Sequence, residues 1–386
     1  MTETKIKIKP KTKLKTKIKA KTIAKTETKI NTFSILLERV KRDPEGSLFE
    51  YYANGLWKTV SAAQFLDEVK TLAKGLIAKG VNVGDSVAII SRTRYEWSLF
   101  DFAIWAVGAL PVPVYETDSA EQIKYIFKNA EIKYAAVEND EIAGRCPANA
   151  QKWIIEKNDI AALGVFGEGV SDLEVDERSM LRFGDDIATI VYTSGSTAVP
   201  KGVELSHRVL CACVYNGCQG VPEILLREDA KVLMFLPLAH VLARYLALAG
   251  IAGTTTIGMA RSIKTLLDDL RQVKPTYLLA VPRIFEKVYN ASSHRAAKGL
   301  KAKIFSQSAA TAREFSQLQA QGKAVPLSLK AKHRLFDKLV YSQIRAVLGN
   351  NVEYCVSGGA PLDAELVHFF TGAGVPVFEG YGMTET

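Results

Sequence analysis

Apolar positions along this chain recur with two spacings. Short continuous apolar runs alternate with stretches in which apolar residues return every three or four positions, the pattern of strands and covering helices. Ser86–Ile90 predicts a strand and about Tyr95–Val107 a helix. Leu110–Val114 predicts a second strand, whose Pro111 and Pro113 cannot donate to a ladder, so an edge or irregular strand is expected. A helix over Ser119–Asn129 leads to a strand at Tyr134–Val137. Beyond Asp186 the pattern resumes with Ile187–Tyr192, a loop rich in Ser, Thr and Gly, then Val203–Leu205 and a helix starting near Ser206. Further strands are expected at Lys231–Leu236, Thr254–Ile257 and Thr276–Ala280, separated by helices around 241–249 and 262–272. From about 286 to 347 the spacing predicts a helical insertion with no strand signal. A strand at Val352–Val356, a helix at Asp363–Phe370 and a strand at Val375–Phe378 follow. The alternation predicts an α/β fold with helices on both faces of its sheets.

Composition narrows this only a little. The 386 residues, 48% hydrophobic and 24% charged, suit a folded globular protein of two or three compact units or one large α/β unit. The net charge of +9 is concentrated at the start. Residues 1–30 hold eleven of the 50 basic residues and two of the 41 acidic ones, leaving 39 of each for the rest. Lysine takes the odd positions from Lys5 to Lys21, and the expected state of this arm is a disordered, solubilising segment. Peripheral attachment to anionic lipid is the sharper alternative. No aromatic residue interrupts the lysines, so nucleic acid is not an expected partner. No apolar core of a secretory signal follows the charge, and Tyr245–Ala260, broken by Thr254, Thr255 and Thr256, is too short to span a bilayer. A cytoplasmic location, with peripheral membrane contact as an option, is expected. The five cysteines lack a paired zinc-ligand spacing and are expected to be buried free thiols.

Three segments carry candidate chemistry. Thr193-Ser194-Gly195-Ser196-Thr197-Ala198-Val199-Pro200-Lys201-Gly202 offers four hydroxyls, glycines that admit close backbone approach, and a mobile cation, a set suited to phosphate oxygens. Pro200 and Gly202 flank the lysine, so this is not a Walker A loop, and a plain solvated hairpin turn is the alternative. Ser357-Gly358-Gly359-Ala360-Pro361-Leu362 joins a predicted strand to a helix, with Pro361 expected in its first turn. Its glycines would let a planar group lie on the backbone, although a simple connecting turn has the same signature. Glu379-Gly380-Tyr381-Gly382-Met383-Thr384-Glu385 follows the last predicted strand at the edge where α/β folds bind ligands.

In this order the three segments resemble the signature motifs of the adenylate-forming (AMP-binding) superfamily, over nearly everything from Phe33 onward. Ala198 departs from the glycine most common there. The resemblance implies the large N-terminal domain of such an enzyme, with helix-covered mixed β-sheets. It implies ATP cradled by Thr193, Ser194, Gly195, Ser196, Thr197, Lys201 and Gly202, and an adenine and acyl pocket along Gly358, Gly359, Ala360 and Pro361. Gly380, Tyr381, Gly382, Met383 and Thr384 would continue that site, with Tyr381 stacking on adenine and Thr384 at the α-phosphate. Glu385 with Thr193 would hold Mg²⁺, and Lys201, Thr384 and Glu385 would be the catalytic set. Pro237-Leu238-Ala239-His240 and Val281–Tyr289 resemble the long-chain fatty acyl-CoA synthetase branch, placing His240 at the acyl carboxylate and Arg283 at the pocket mouth. Arg244 falls where many relatives carry a glutamate followed by arginine.

The expected organisation is a Lys-rich arm over 1–30 and an incomplete AMP-binding domain over 31–386, its insertion at about 286–347 and its C-terminal lid domain absent. The implied substrates are a fatty acid, ATP and CoA. A polypeptide ending at Thr386 is expected to be inactive or nearly so. Two alternatives stay open: a module that binds ATP or fatty acid without turnover, and an adenylating relative that uses another carboxylic acid.

Overall fold

The computed structural model describes residues 30–193, 199–295 and 299–385. Most of the Lys-rich arm and Ser194, Gly195, Ser196, Thr197 and Ala198 therefore lie outside the described residues. Thirteen strands are seen among them: β1 Ser47–Ala53, β2 Leu56–Ser61, β3 Ser86–Ile90, β4 Leu110–Val114, β5 Tyr134–Val137, β6 Gln151–Ile154, β7 Ile187–Thr193, β8 Lys201–Ser206, β9 Lys231–Met234, β10 Thr256–Met259, β11 Tyr277–Ala280, β12 Tyr354–Gly358 and β13 Val377–Gly380. They form a seven-stranded sheet in the order β13-β12-β11-β9-β10-β1-β2, a four-stranded sheet β4-β3-β5-β6, and the separate hairpin β7-β8. All neighbours in the first two sheets run parallel except β1 and β2.

Parallel strands covered on both faces must be apolar at every position, and β3 shows why its run is unbroken. Val87 and Ile89 face the largest core while Ala88 and Ile90 face a second one beneath the helix Ala120–Asn129. The proline-bearing β4 lies at the sheet edge as its sequence requires. Ser119 and Ser206 cap the helices Ala120–Asn129 and His207–Gly220, accepting from the backbone N–H groups of Gln122 and Val209. Among the described residues, 282–347 carry helices and no strand, and this region packs through the helix Leu300–Ala320 onto the helix Ala364–Gly372.

Several features depart from the periodicity. β1 and β2 carry no unbroken apolar run, because Glu50 and Lys58 interrupt them, yet Asn54 and Gly55, both at positive φ, turn a hairpin there. β1 then pairs with β10, some two hundred residues away, which no local pattern specifies. The runs at 187–192 and 203–205 do not extend a main sheet but form their own hairpin. Pro361 sits in the turn before the helix rather than in its first turn, since Asp363 is the cap and the helix starts at Ala364. Of the cysteines, 146, 211, 218 and 355 are buried free thiols, while Cys213 is exposed on the outer face of its helix.

Three polar contacts hold the layers in register. Arg244, on the helix Val241–Ala252, donates to both oxygens of Asp101 on the helix Tyr95–Ala106 at 2.9 and 2.5 Å and to Thr189 Oγ1 at 2.6 Å. The Thr189 hydroxyl in turn donates to the Pro111 carbonyl of β4 at 2.6 Å. Burial pushes the Asp101 carboxyl up to about 6 while the Arg244 charge and hydrogen bonds pull it down. On the opposite side, Arg39 and Arg42 of the helix Thr32–Arg42 donate to the carbonyls of Gly253 and Ala252 at 2.8 Å each, satisfying the C-terminal end of helix 241–252. His207 Nδ1 accepts from the Thr32 N–H at 3.2 Å, so the ring is neutral, and burial with the nearby Arg182 charge depresses its pKa to about 4 against a weaker opposing pull from Asp186.

Two outcomes follow for stability. Arg244→Met leaves Asp101 buried without a partner and is expected to cost about 3–5 kcal/mol in denaturant unfolding. A pKa below its unfolded value means His207 contributes stability above pH 6.5 that is lost as pH falls toward 4, roughly 2–3 kcal/mol between pH 7 and 4.5. Unfolding curves of the parent and of His207→Asn at the two pH values should show that loss sharply reduced in the variant.

Candidate functional site

Parallel pairing places the segments that follow β9, β11, β12 and β13 along one edge of the seven-stranded sheet, the edge where ligands of open α/β sheets collect. Ala280 pairs with Ser357, Ser357 with Glu379, and Gly358 with Gly380, so three strands end nearly level. Two of the glycine-bearing segments thereby become neighbours, although the paired Gly358 and Gly380 lie 22 positions apart in the chain.

The turn after β12 is shaped by its glycines. Gly359 has φ +82°, a left-handed conformation that strains any residue with a Cβ, and its missing Cβ would lie 3.8 Å from Val281 Cγ1. A Cβ on Gly358 would lie 2.8 Å from Leu242 Cδ2. The turn is therefore wedged between the start of helix Pro282–Arg295 and the start of helix 241–252. Glu379 pins it from the third side, its Oε1 accepting from the Leu362 N–H at 2.9 Å. Ala360 and Pro361 stand exposed at the rim, and so do Gly380, Tyr381 and Gly382. Tyr381 is 93% exposed, a free aromatic face beside a Cβ-less backbone. Met383 and Glu385 are exposed and Thr384 half-buried just beyond.

His240 caps helix 241–252, its Nδ1 accepting from the Leu242 N–H at 3.2 Å. The ring is thus a neutral imidazole with its Nε2–H left to donate, and partial desolvation, which lowers its pKa, favours that state. The His240 side chain is exposed at the sheet edge. The segment leading to it is held by Thr93, whose hydroxyl donates to the Leu236 carbonyl at 2.6 Å and accepts from the Leu238 N–H at 3.0 Å. Arg283 is exposed on the first turn of helix 282–295, begun by Pro282.

The hydroxyl-rich loop caps the β7-β8 hairpin, whose last cross-strand pair is Thr193 with Lys201. Lys201 is exposed and Thr193 half-buried. β7 and β8 pair antiparallel on either side of this loop, whose residues 194–198 lie outside those described. Its base is anchored firmly. Gly202 packs on Tyr192, whose hydroxyl donates to Asn129 Oδ1 at 2.5 Å, and Thr189 ties β7 to Arg244 one turn below His240.

The structure thus brings His240, Arg283, Gly358–Pro361 and Gly380–Tyr381 to one edge, and links the Thr193–Lys201 hairpin to that edge through its base. Among the described residues no cluster of three or more His, Cys, Asp or Glu could hold a metal. Thr193 and Glu385 are hard oxygen donors, and such a sparse set fits Mg²⁺, which takes one or two protein oxygens and fills its shell with water and phosphate. Two positioning residues escaped the sequence reading. Glu379 lay inside a segment read for its glycines and tyrosine, and Thr93 carried one signal, its place just past the carboxyl end of β3.

A profile of the AMP-binding enzyme family matches residues 36–386. The chain is 40% identical over 366 residues to the long-chain-fatty-acid–CoA ligases FadD15 of Mycobacterium bovis and Mycobacterium tuberculosis, an alignment that takes in 92% of this chain and 61% of each relative. It is 31% identical to long chain acyl-CoA synthetase 4 of Arabidopsis thaliana, over 86% of this chain and 52% of that one. The chain therefore spans about three-fifths or less of the length of these relatives. Its fold matches the N-terminal domain of FACL13 from Mycobacterium tuberculosis at TM-score 0.65 and 19% identity, covering 92% of this chain and 76% of that one. It matches O-succinylbenzoate coenzyme A synthetase from Bacillus subtilis, solved with AMP, at 0.68 and 18%, covering 93% and 60%.

Substituting alanine at Gly359 is expected to cost about 1–2 kcal/mol, because the Cβ meets the carbonyl in the left-handed conformation. Thermal unfolding of Gly359→Ala beside Gly144→Ala, where a Cβ would meet open space, measures the difference.

Proposed function

We propose that this chain, which belongs to the AMP-binding enzyme family, forms the nucleotide- and acyl-binding part of a long-chain fatty acid–CoA ligase. The observation that carries the reading is the pairing of Gly358 with Gly380, which sets a Cβ-less turn and an exposed tyrosine side by side at the carboxyl edge of a parallel sheet. An adenine can lie against the Gly359–Pro361 backbone with the Tyr381 ring on its other face. Lys201 at the hairpin tip, with Thr193, Ser194, Gly195, Ser196, Thr197 and Gly202, supplies cation, hydroxyl and backbone donors to the β- and γ-phosphates. Thr384 reaches the α-phosphate. Glu385 and Thr193 would hold Mg²⁺, which neutralises phosphate charge when bound.

In the first step a carboxylate oxygen of the fatty acid attacks the α-phosphorus of ATP and pyrophosphate leaves, giving an acyl adenylate. In the second the thiolate of CoA attacks the acyl carbon and AMP leaves. Neither step needs a protein nucleophile. Residues here act by holding the reacting atoms in line and by offsetting charge on the leaving group. His240, neutral and donating from Nε2, suits a hydrogen bond to the acyl carboxylate, and Arg283 suits attraction of the acid to the pocket mouth. The 40% identity to long-chain-fatty-acid–CoA ligases supports a long acyl chain as the substrate class.

The test is ATP–pyrophosphate exchange by the protein, driven by a panel of carboxylic acids. Long-chain fatty acids should support exchange and Lys201→Ala should lower its rate by about 10²-fold. Tyr381→Ala should weaken ATP binding about tenfold through lost stacking. Exchange driven only by aryl or amino acids would refute the acyl assignment. A polypeptide of residues 1–386 by itself is expected to bind nucleotide with little thioester formation, and robust acyl-CoA synthesis by it would overturn that expectation.

A further inference from the structure

The helical region between β11 and β12 carries a face that the reaction does not use. The helix Leu327–Phe336 continues through a π-helical turn at Asp337–Tyr341 into the helix Ser342–Val347. Its inward side is an ordinary core contact: Leu329, Phe336 and Tyr341 are buried, and His333 bonds the Gly372 carbonyl at 2.6 Å. The outward side reverses the usual pattern of a surface helix. Positions 327, 331, 335 and 339, each four apart and so on one stripe, are Leu, Ala, Leu and Leu. The three leucines are 83%, 57% and 46% exposed. The wider π-helical turn slows the rotation of the chain, keeping Leu339 on the outward stripe while Tyr341 returns to the core.

Charge runs alongside the apolar stripe. Lys330, Arg334 and Lys338 form a parallel stripe at the same four-residue spacing, and Lys332 lies on the other flank, all exposed. Between Glu314 and Glu353 the only acidic residue is Asp337, and Arg345 engages it at 2.7 Å. The face is therefore apolar along its centre and cationic on both sides. A helix with this cross-section buries its leucines at the boundary of headgroup and acyl chain while its lysines meet anionic headgroups.

We propose that the outward face of residues 327–339 is a docking surface for anionic lipid bilayers, by which the protein lies on a membrane without crossing it. Charge complementarity selects an anionic surface, and the leucine stripe selects one with an apolar layer beneath its charges, which a bilayer offers along the whole length of the helix and a nucleic acid does not. The inference is independent of the reaction: it rests on this face alone, and its failure leaves the ligase reading intact.

The experiment is sedimentation of the full chain with vesicles of phosphatidylcholine, alone or with 30 mol% phosphatidylglycerol, the amount of anionic lipid being about that of a strongly anionic leaflet. The Lys-rich arm is present in every variant and contributes equally. Leu327→Ser/Leu335→Ser/Leu339→Ser is expected to weaken binding to the anionic vesicles at least about tenfold, with circular dichroism unchanged. In a separate arm, Leu335→Trp should add emission that brominated acyl chains quench, beyond the quenching of the parent's four tryptophans. Equal partition of the parent and the folded triple variant, or no added quenching at position 335, would overturn the proposal. Equal capture of both proteins by heparin, with no vesicle binding by either, would make the face a polyanion site and likewise defeat it.

Discussion

The buried pair of Arg244 and Asp101 is the constraint on which the rest of the site depends. A guanidinium and a carboxylate taken out of water lose several kcal/mol of hydration each, and only close, fully bonded geometry recovers it. Here that geometry needs four elements at once. Asp101 comes from helix 95–106, Arg244 from helix 241–252, Thr189 from β7, and the Pro111 carbonyl from β4. The Trp105 indole covers the guanidinium at 4.8 Å and donates to the Ala188 carbonyl at 2.8 Å, where the β7-β8 register slips. A pair of this kind adds little net stability over an apolar substitute, but it admits few alternative arrangements. It therefore sets where the hairpin with Lys201 stands relative to the helix that begins at His240.

Around that anchor the site is assembled by backbone geometry more than by side-chain contacts. Parallel register brings the ends of β11, β12 and β13 level, the absent Cβ at Gly358 lets helix 241–252 close on the turn, and Gly359 supplies its positive φ. The groups that would meet a ligand, Tyr381, Lys201, His240 and Arg283, are then left exposed at the rim. Rigid scaffold and free rim are complementary: preorganised donors gain most when the backbone beneath them need not move. Glu379 illustrates the division, since one oxygen of its carboxylate accepts from the Leu362 N–H and so orients the turn.

The β-strands of this protein were legible wherever both faces are buried. β3, β4 and β5 fall at the residues their apolar runs mark, because a strand between two cores has no polar position to confuse the pattern. β1 and β2 were not legible as strands, since one lies half-covered and the other at the edge, and polar residues there cost little. The Asn54-Gly55 turn was the available sign. The expected burial of all five thiols failed only at Cys213, which a helix turns to the solvent two residues after it buries Cys211.

By itself the sequence determined the strands buried on both faces and the helices between them, the three candidate segments, and the family to which the chain belongs, because each of these is written in local spacing and residue type. Only the tertiary structure decided that β1 joins a sheet with β10, that Arg244 pairs with Asp101 and Thr189, and that Glu379 braces the turn of Gly359. Those are contacts between residues far apart in the chain, chosen by which buried polar groups can find partners, and no local pattern records that choice. The exposed leucines of 327–339 belong to the same class: spacing shows an amphipathic helix, but which of its faces looks outward is known only once the neighbouring helices are in place.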